Sequence, residues 1–234
     1  MNRKAVEYMI KAVATDVDGT ITDNKELLDV EAIGAIRDLE TRGVRVMLCS
    51  GNALCVLKSL GRYMGCTGPL ICENGGLVEY RGKMWVLSER RIAGEVINAL
   101  KEAYGERVEE SWSNRYRFVD MAVFRSLDLE SLKRVVARFD GMKVLDSGFA
   151  YHILDEKVNK GAAVLKAMGI IGVRPSEVAA VGDSLTDMEL LEACGFKAVV
   201  ANGDPRLKEK ADYIARSPFG KGFAEIARRI ISGR

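Results

Sequence analysis

The sequence predicts an α/β fold: a doubly wound, Rossmann-like parallel sheet with a small α+β module inserted into it. Two observations carry this. Apolar, β-branched runs at residues 10–17, 44–49 and 69–72 alternate with helix-spaced segments through short links, the rhythm that winds a parallel sheet. After Gly76 that rhythm breaks into a hairpin, two helices and further short strands, and it resumes at Asn159.

The first run stops at an acidic, Gly-containing turn, as a buried parallel strand does when its carboxyl end carries polar groups. Val30, Ile33, Ile36 and Leu39 then recur at helical spacing, with Gly43 placed as a C-terminal stop. The second strand ends at Ser50-Gly51, a helix follows to about residue 64, and the third strand runs into Glu73-Asn74-Gly75-Gly76. Residues 77–87 read as a hairpin turning at Arg81-Gly82. Helices over 92–104 and 129–139 and strands over 117–124, 143–146 and 149–154 complete the inserted part. From Asn159 the chain reads helix, strand 178–181, helix, strand 197–200 and two more helices. The expected division is therefore 1–77 with 156–234 as the core and 78–155 as the insertion.

Composition removes several function classes. With 48% hydrophobic and 29% charged residues the chain builds a core and a solvated surface rather than a disordered ensemble. Its 35 basic and 33 acidic residues nearly cancel, so no strong field attracts nucleic acid or anionic lipid. No apolar run approaches a membrane span, and residues 1–8 lack the apolar stretch of a secretory signal, so a cytoplasmic location is expected. Five cysteines without a CxxC pair read as reduced thiols. A single histidine, His152, rules out multi-histidine zinc sites and reads as a packed or surface group of the insertion rather than a catalyst. Arg90-Arg91 reads as a solvated face, and Trp85 and Trp112 leave a homodimer open.

Four strand-end constellations carry chemistry. Asp16-Val17-Asp18-Gly19-Thr20 follows the first strand, where open α/β sheets bind ligands. Two carboxylates two residues apart, with a turn between them, suit a hard cation such as Mg²⁺. One can then attack phosphorus while the other handles the leaving-group proton. Gly182-Asp183-Ser184-Leu185-Thr186-Asp187 offers further carboxylates, although Ser184 with Asp187 equally fits a capping box. Ser50-Gly51-Asn52 places a hydroxyl and backbone N–H groups at a helix start, where they hold a phosphate oxygen or simply cap the helix. Lys160, with Lys157 as a nearby competitor, stands where a cation can neutralise a phosphate. Asn74 and Asn202, each following a strand, are further candidates.

In this order the blocks resemble the haloacid dehalogenase-like phosphatases with a type-two cap, over nearly the whole chain after Met9. The eight residues before Met9 have no counterpart in that pattern, and a start at Met9 is compatible with it. Within the subclass, Cys72-Glu73-Asn74-Gly75-Gly76, Asp146-Ser147-Gly148-Phe149-Ala150 and Asn159-Lys160-Gly161 are similar to archaeal phosphoglycolate phosphatases. The resemblance implies Asp16 as nucleophile through an aspartyl-phosphate, and Asp18 as general acid and base. It implies Mg²⁺ on Asp16, the backbone carbonyl of Asp18 and Asp183, with Asp187 at or beside the ion. Ser50, Gly51, Lys160 and Asn202 would bind a small phosphorylated substrate, 2-phosphoglycolate first. Hexose or sucrose phosphates, and a phosphomutase reaction, are the alternatives. One departure is Ser184 and Thr186, where many relatives have glycine and asparagine; it bears on the hydrogen bonds behind the metal ligands.

Overall fold

The computed structural model describes residues 9–233; the reading of residues 1–8 lies outside them. β1 (Ala12–Thr15), α1 (Val30–Thr41), β2 (Arg45–Leu48), α2 (Leu54–Met64) and β3 (Leu70–Cys72) open the fold. β4 (Leu77–Tyr80), β5 (Lys83–Val86), α3 (Arg91–Tyr104), β6 (Met121–Phe124), α4 (Leu129–Val136), β7 (Met142–Asp146) and β8 (Ala150–Asp155) follow. The chain then closes with α5 (Lys160–Ile171), β9 (Val178–Gly182), α6 (Met188–Glu192), β10 (Phe196–Val199), α7 (Pro205–Lys208), β11 (Tyr213–Ile214) and α8 (Phe219–Ser232).

The main sheet has the order β11-β10-β9-β1-β2, and all its pairings are parallel. The expected doubly wound sheet is thus present. Strand alternation decides its two faces. Val13, Val46, Leu48, Ala179 and Val181 pack with α1, α2 and α8 through Ile36, Leu57 and Phe223. Ala12, Ala14, Met47, Val178 and Ala180 pack on the other side with α5, α6 and α7 through Val164, Leu190 and Leu207. The winding runs from β1 outward to β2 and then reverses through β9 and β10. Its switch point therefore falls at the carboxyl ends of β1 and β9, where open sheets bind ligands.

The hairpin β4–β5 is antiparallel, pairs with β3, and joins the main sheet side by the Cys49–Ile71 bridge. Val78 and Trp85 pack with Ala12, Met47 and Ile71, so this hairpin lies against the core. A separate antiparallel sheet, β6-β8-β7, packs on α3 and α4 around Leu100, Leu132, Val123 and Ile153. Its other face carries His152 and Leu154.

Two local expectations are corrected. The strand expected over 117–124 is ordered as a strand only from Met121, because the N–H groups of Phe118, Val119 and Asp120 are taken by the Glu73 carboxylate instead of a neighbouring strand. The Arg90-Arg91 pair is not one solvated face. Arg91 is exposed and pairs with Glu95, whereas the turn into α3 lays Arg90 against β6, its guanidinium on the Met121 sulfur and the Arg117 carbonyl. The cysteines are free: Cys49, Cys72 and Cys194 are buried, Cys66 is half-buried and Cys55 is exposed. No helix among the described residues is long and apolar enough to cross a membrane.

Candidate active site

Asp16 is the first residue past β1, and its N–H donates to the Val181 carbonyl, which continues the β1–β9 ladder to the site. The chain then turns through Gly19 at φ +86°, a conformation that side chains rarely adopt. A Cβ at Gly19 would also fall 2.5 Å from Oδ2 of Asp183. Glycine here lets the two strand ends close on each other. Thr20 Oγ1 completes that contact by donating to Asp183 Oδ1 at 2.8 Å.

On the β9 side, Gly182 leads into a tight turn that ends at Asp187. Asp187 Oδ2 accepts the N–H groups of Asp183 and Ser184, both at 3.1 Å. The capping geometry expected for Ser184 and Asp187 is therefore real. The same carboxylate does more than cap, since its Oδ1 accepts from Lys160 Nζ at 2.6 Å. That lysine, the first residue of α5, also reaches Asp16 Oδ1 at 2.5 Å. Asn159 caps α5 by accepting the Ala162 N–H and so fixes where the helix starts. Lys157 is exposed, whereas Lys160 is 3% exposed and is the lysine that reaches Asp16 and Asp187.

Carboxylate oxygens of Asp16, Asp183 and Asp187 lie within 4.8 Å of one another, close enough to hold one metal ion between them. The Asp18 carboxylate stands outside that trio. Its Oδ2 accepts from Asn52 Nδ2 at 2.9 Å and from Ser50 Oγ at 3.4 Å, which ties the β1 loop to the β2 loop. Ser50 is buried and also accepts the Asn52 N–H at 3.0 Å. Gly51 packs so closely that a Cβ there would meet Oδ1 of Asn74 at 2.9 Å. Asn202 uses both ends of its amide on backbone: Nδ2 donates to the Gly19 carbonyl and Oδ1 accepts the Phe219 N–H. It thus braces the Asp16–Thr20 loop from α8.

Four acids share one lysine here, and Asp16, Asp18 and Asp183 are all raised above the ordinary aspartate value. Burial raises Asp16 well above the ordinary carboxylate range, with repulsion from Asp187 adding to it, while Lys160 opposes both. Burial and Asp187 raise Asp183 to about 6. Burial also raises Asp18, against the pull of Lys160 and the hydrogen bonds from Ser50 and Asn52. Burial lowers the affinity of Lys160 for its proton, but Asp16 and Asp187 outweigh it and the lysine stays charged. An oxygen-lined pocket short of positive charge fits a divalent cation of the Mg²⁺ type.

A second group was not legible as a site in the sequence. Arg117, buried, donates to the Gly51 carbonyl at 2.9 Å and to Asp120 Oδ1 at 2.6 Å. Asp120 Oδ2 is 2.8 Å from His152 Nδ1 and accepts from Asn74 Nδ2 at 3.2 Å. Arg117, Asp120 and His152 of the inserted part are thereby joined to Gly51 and Asn74 beside Ser50. The sequence signal was present at Asn74, but the partners lie across the insertion. Thr20 and Asn52 likewise sit inside the motifs without having been singled out.

A model of the haloacid dehalogenase-like hydrolase family matches residues 13–122 and 116–226. The chain belongs to the haloacid dehalogenase-like hydrolases. This hydrolase is 36% identical over 222 residues to a protein named phosphoglycolate phosphatase from Methanothermobacter thermautotrophicus, covering 95% of this chain and 99% of the relative. It is 38% identical over 234 residues to one of the same name from Staphylothermus marinus, covering 95% and 98%. Among solved structures, that of Thermoplasma acidophilum 0175 superposes with a TM-score of 0.87 at 26% identity, covering 95% of this chain and 99% of that one. A haloacid dehalogenase-like hydrolase from Bacteroides thetaiotaomicron shares the fold, with a TM-score of 0.81 at 18% identity over 94% and 99% of the two chains.

Proposed function

We propose that this hydrolase is a Mg²⁺-dependent phosphatase that cleaves 2-phosphoglycolate to glycolate and phosphate through an aspartyl-phosphate on Asp16. The observation that carries the reading is the placement of Lys160 between Asp16 and Asp187 at the switch point of the sheet. The name shared by the relatives from M. thermautotrophicus and S. marinus supports the substrate. Metal, lysine, hydroxyl and backbone N–H groups around one carboxylate are what phosphoryl transfer needs, since its catalysis is mostly positioning and charge neutralisation.

Asp16 and Asp183, the backbone carbonyl of Asp18, and Asp187 beside them would hold Mg²⁺, which neutralises charge on the phosphoryl oxygens. Lys160 and Ser50, with the Gly51 N–H, hold the phosphoryl group. An Asp16 oxygen forms the new bond to phosphorus as the bond to the substrate oxygen breaks, and Asp18 gives that oxygen its proton. Water then attacks phosphorus, Asp18 takes its proton, and the Asp16–phosphorus bond breaks. Asn52 and Ser50 keep the Asp18 carboxylate oriented through both steps. Asn202 serves by fixing the Gly19 carbonyl and hence the loop that carries both acids.

The inserted residues 78–155 act as the cap that covers the site, with their first hairpin resting on the core. A cavity of about 220 Å³ between β7 and the start of α5 is lined by Asn74, Asn159, Lys160 and Thr186. Phosphate release from a panel of monoesters, with Mg²⁺ and with a chelator, tests the reading. Mg²⁺-dependent release from 2-phosphoglycolate is expected. Preference for a hexose phosphate would replace the substrate, and phosphate moved between hydroxyls of one sugar without release would favour the mutase.

A further inference from the structure

We infer that Lys143 is a specificity-determining residue that binds the carboxylate of the substrate's organic part; this rests on the phosphatase reading above. Lys143 lies on β7, the edge strand of the inserted sheet. Alternation along β7 turns Met142 and Val144 into the cap core. Lys143 and Leu145 take the opposite face, across from Leu154 and His152 of β8. Leu145 and Leu154 pack there with Val158, so this face looks onto the segment that leads into Lys160.

The ammonium of Lys143 donates to the carbonyls of Glu156 at 3.0 Å and Val158 at 2.7 Å. Both are neutral acceptors, and a lysine has three protons to give. Among the described residues no carboxylate lies within 4.0 Å of it. Partial burial holds its pKa below the ordinary lysine value, against attraction from Glu189, Asp155 and Glu156. The His152 side chain on the same face is already committed to Asp120. Among the described residues, Lys143 is thus a cation on this face whose hydrogen bonds go only to neutral carbonyls, with Glu189, Asp155 and Glu156 acting on it from farther away.

Lys143 and Lys160 line the same cavity. The cavity meets the Asp16 site at Lys160 and Asn74 and also holds Asp146, which pairs with Arg125, and Glu189; a ligand with its phosphoryl group on Lys160 and its organic part in this cavity meets Lys143 as a second cation. A two-carbon acid phosphate carries the matching second anion, and an uncharged alcohol phosphate does not. The larger cavity beside α2 is a weaker candidate for that anion: Lys58 pairs there with Glu79 and Arg117 with Asp120, and its remaining cations, Arg90 and Arg115, do not share a cavity with Lys160. Arg115 lies over the Tyr116 ring.

The test compares 2-phosphoglycolate with 2-hydroxyethyl phosphate, the same skeleton with a hydroxymethyl group in place of the carboxylate. Wild-type protein should favour the acid in kcat/KM. Lys143→Met should lower kcat/KM for the acid at least about tenfold more than for the alcohol phosphate, as loss of a charged hydrogen bond implies. Lys143→Arg should keep most of the preference. An equal fall on both substrates would make Lys143 a structural tether and overturn the inference, as would a selective loss in Arg115→Met instead. Should Lys143→Met not fold, the wild-type comparison decides: turnover of both esters without preference overturns the inference and leaves the phosphatase standing. Turnover of neither overturns the phosphatase reading as well.

Discussion

Nζ of Lys160 lies 2.5 Å from Oδ1 of Asp16, and the same nitrogen reaches Asp187 at 2.6 Å. The contact joins residues 144 positions apart and puts a buried cation against the carboxylate proposed as the nucleophile. A buried ion pair of this kind is poor evidence of stability in itself, because desolvation offsets its attraction. Its consequence is to hold Asp16 in place and to oppose the rise in its pKa that burial and Asp187 cause.

Lys160→Met should therefore lower kcat by about 10²- to 10³-fold, the range for losing one charge-stabilising donor. It should also destabilise the metal-free protein by about 3 kcal/mol, since Asp16 and Asp187 are left buried without their partner. Phosphate release and urea unfolding, measured on the same preparation, check the two effects. Wild-type turnover in the variant would remove Lys160 from the site.

Arg117 should matter to both stability and cap placement. Arg117→Met leaves Asp120 buried with only His152 and Asn74, for a cost of about 3 kcal/mol. Adding Asp120→Asn should recover part of that loss, because the uncompensated charge goes with it. A double variant as unstable as the sum of the single variants would show that the two residues act independently.

Glu73 gives a pH dependence with a definite sign. Burial raises its carboxyl from 4.5 to about 6, with Asp120 adding to the rise, while the N–H groups of Phe118 and Val119 and the charge of Arg117 oppose it. A carboxyl whose folded pKa lies above its unfolded value holds its proton more tightly in the folded chain. Its stabilising contribution is complete below about 4.5 and is lost as pH rises through about 6. At about 1.4 kcal/mol per pKa unit the effect is on the order of 2 kcal/mol at most. The urea midpoint of the wild type should fall between pH 4.5 and 7 relative to that of Glu73→Gln; parallel profiles would contradict the assignment.

What the sequence could and could not reveal follows from where each residue sits. Asp16, Ser50, Lys160, Asp183 and Asp187 are placed by strand ends and helix starts, which leave local signals in spacing and composition. A doubly wound sheet then brings them together without further instruction. Arg117, Asp120 and His152 carry no such signal. Their relation depends on Glu73 capturing three successive N–H groups of a segment that reads, by its Val119, Met121 and Val123, as one continuous strand. The hairpin turn at Arg81-Gly82 was legible, but its pairing with β3 is a long-range choice made by Val78 and Trp85 against the core. Asn202 was legible as a polar strand end; that its amide is spent on Gly19 and Phe219 depends on where α8 packs.

The proposed nucleophile, Asp16, can be tested by trapping. Wild-type protein turning over 2-phosphoglycolate with Mg²⁺ is quenched rapidly in acid, digested, and the peptides are weighed. A phosphoryl adduct on the peptide carrying Asp16, absent in Asp16→Asn together with phosphate release, is the predicted result. An adduct on another residue, or undiminished phosphate release by Asp16→Asn, would contradict the account.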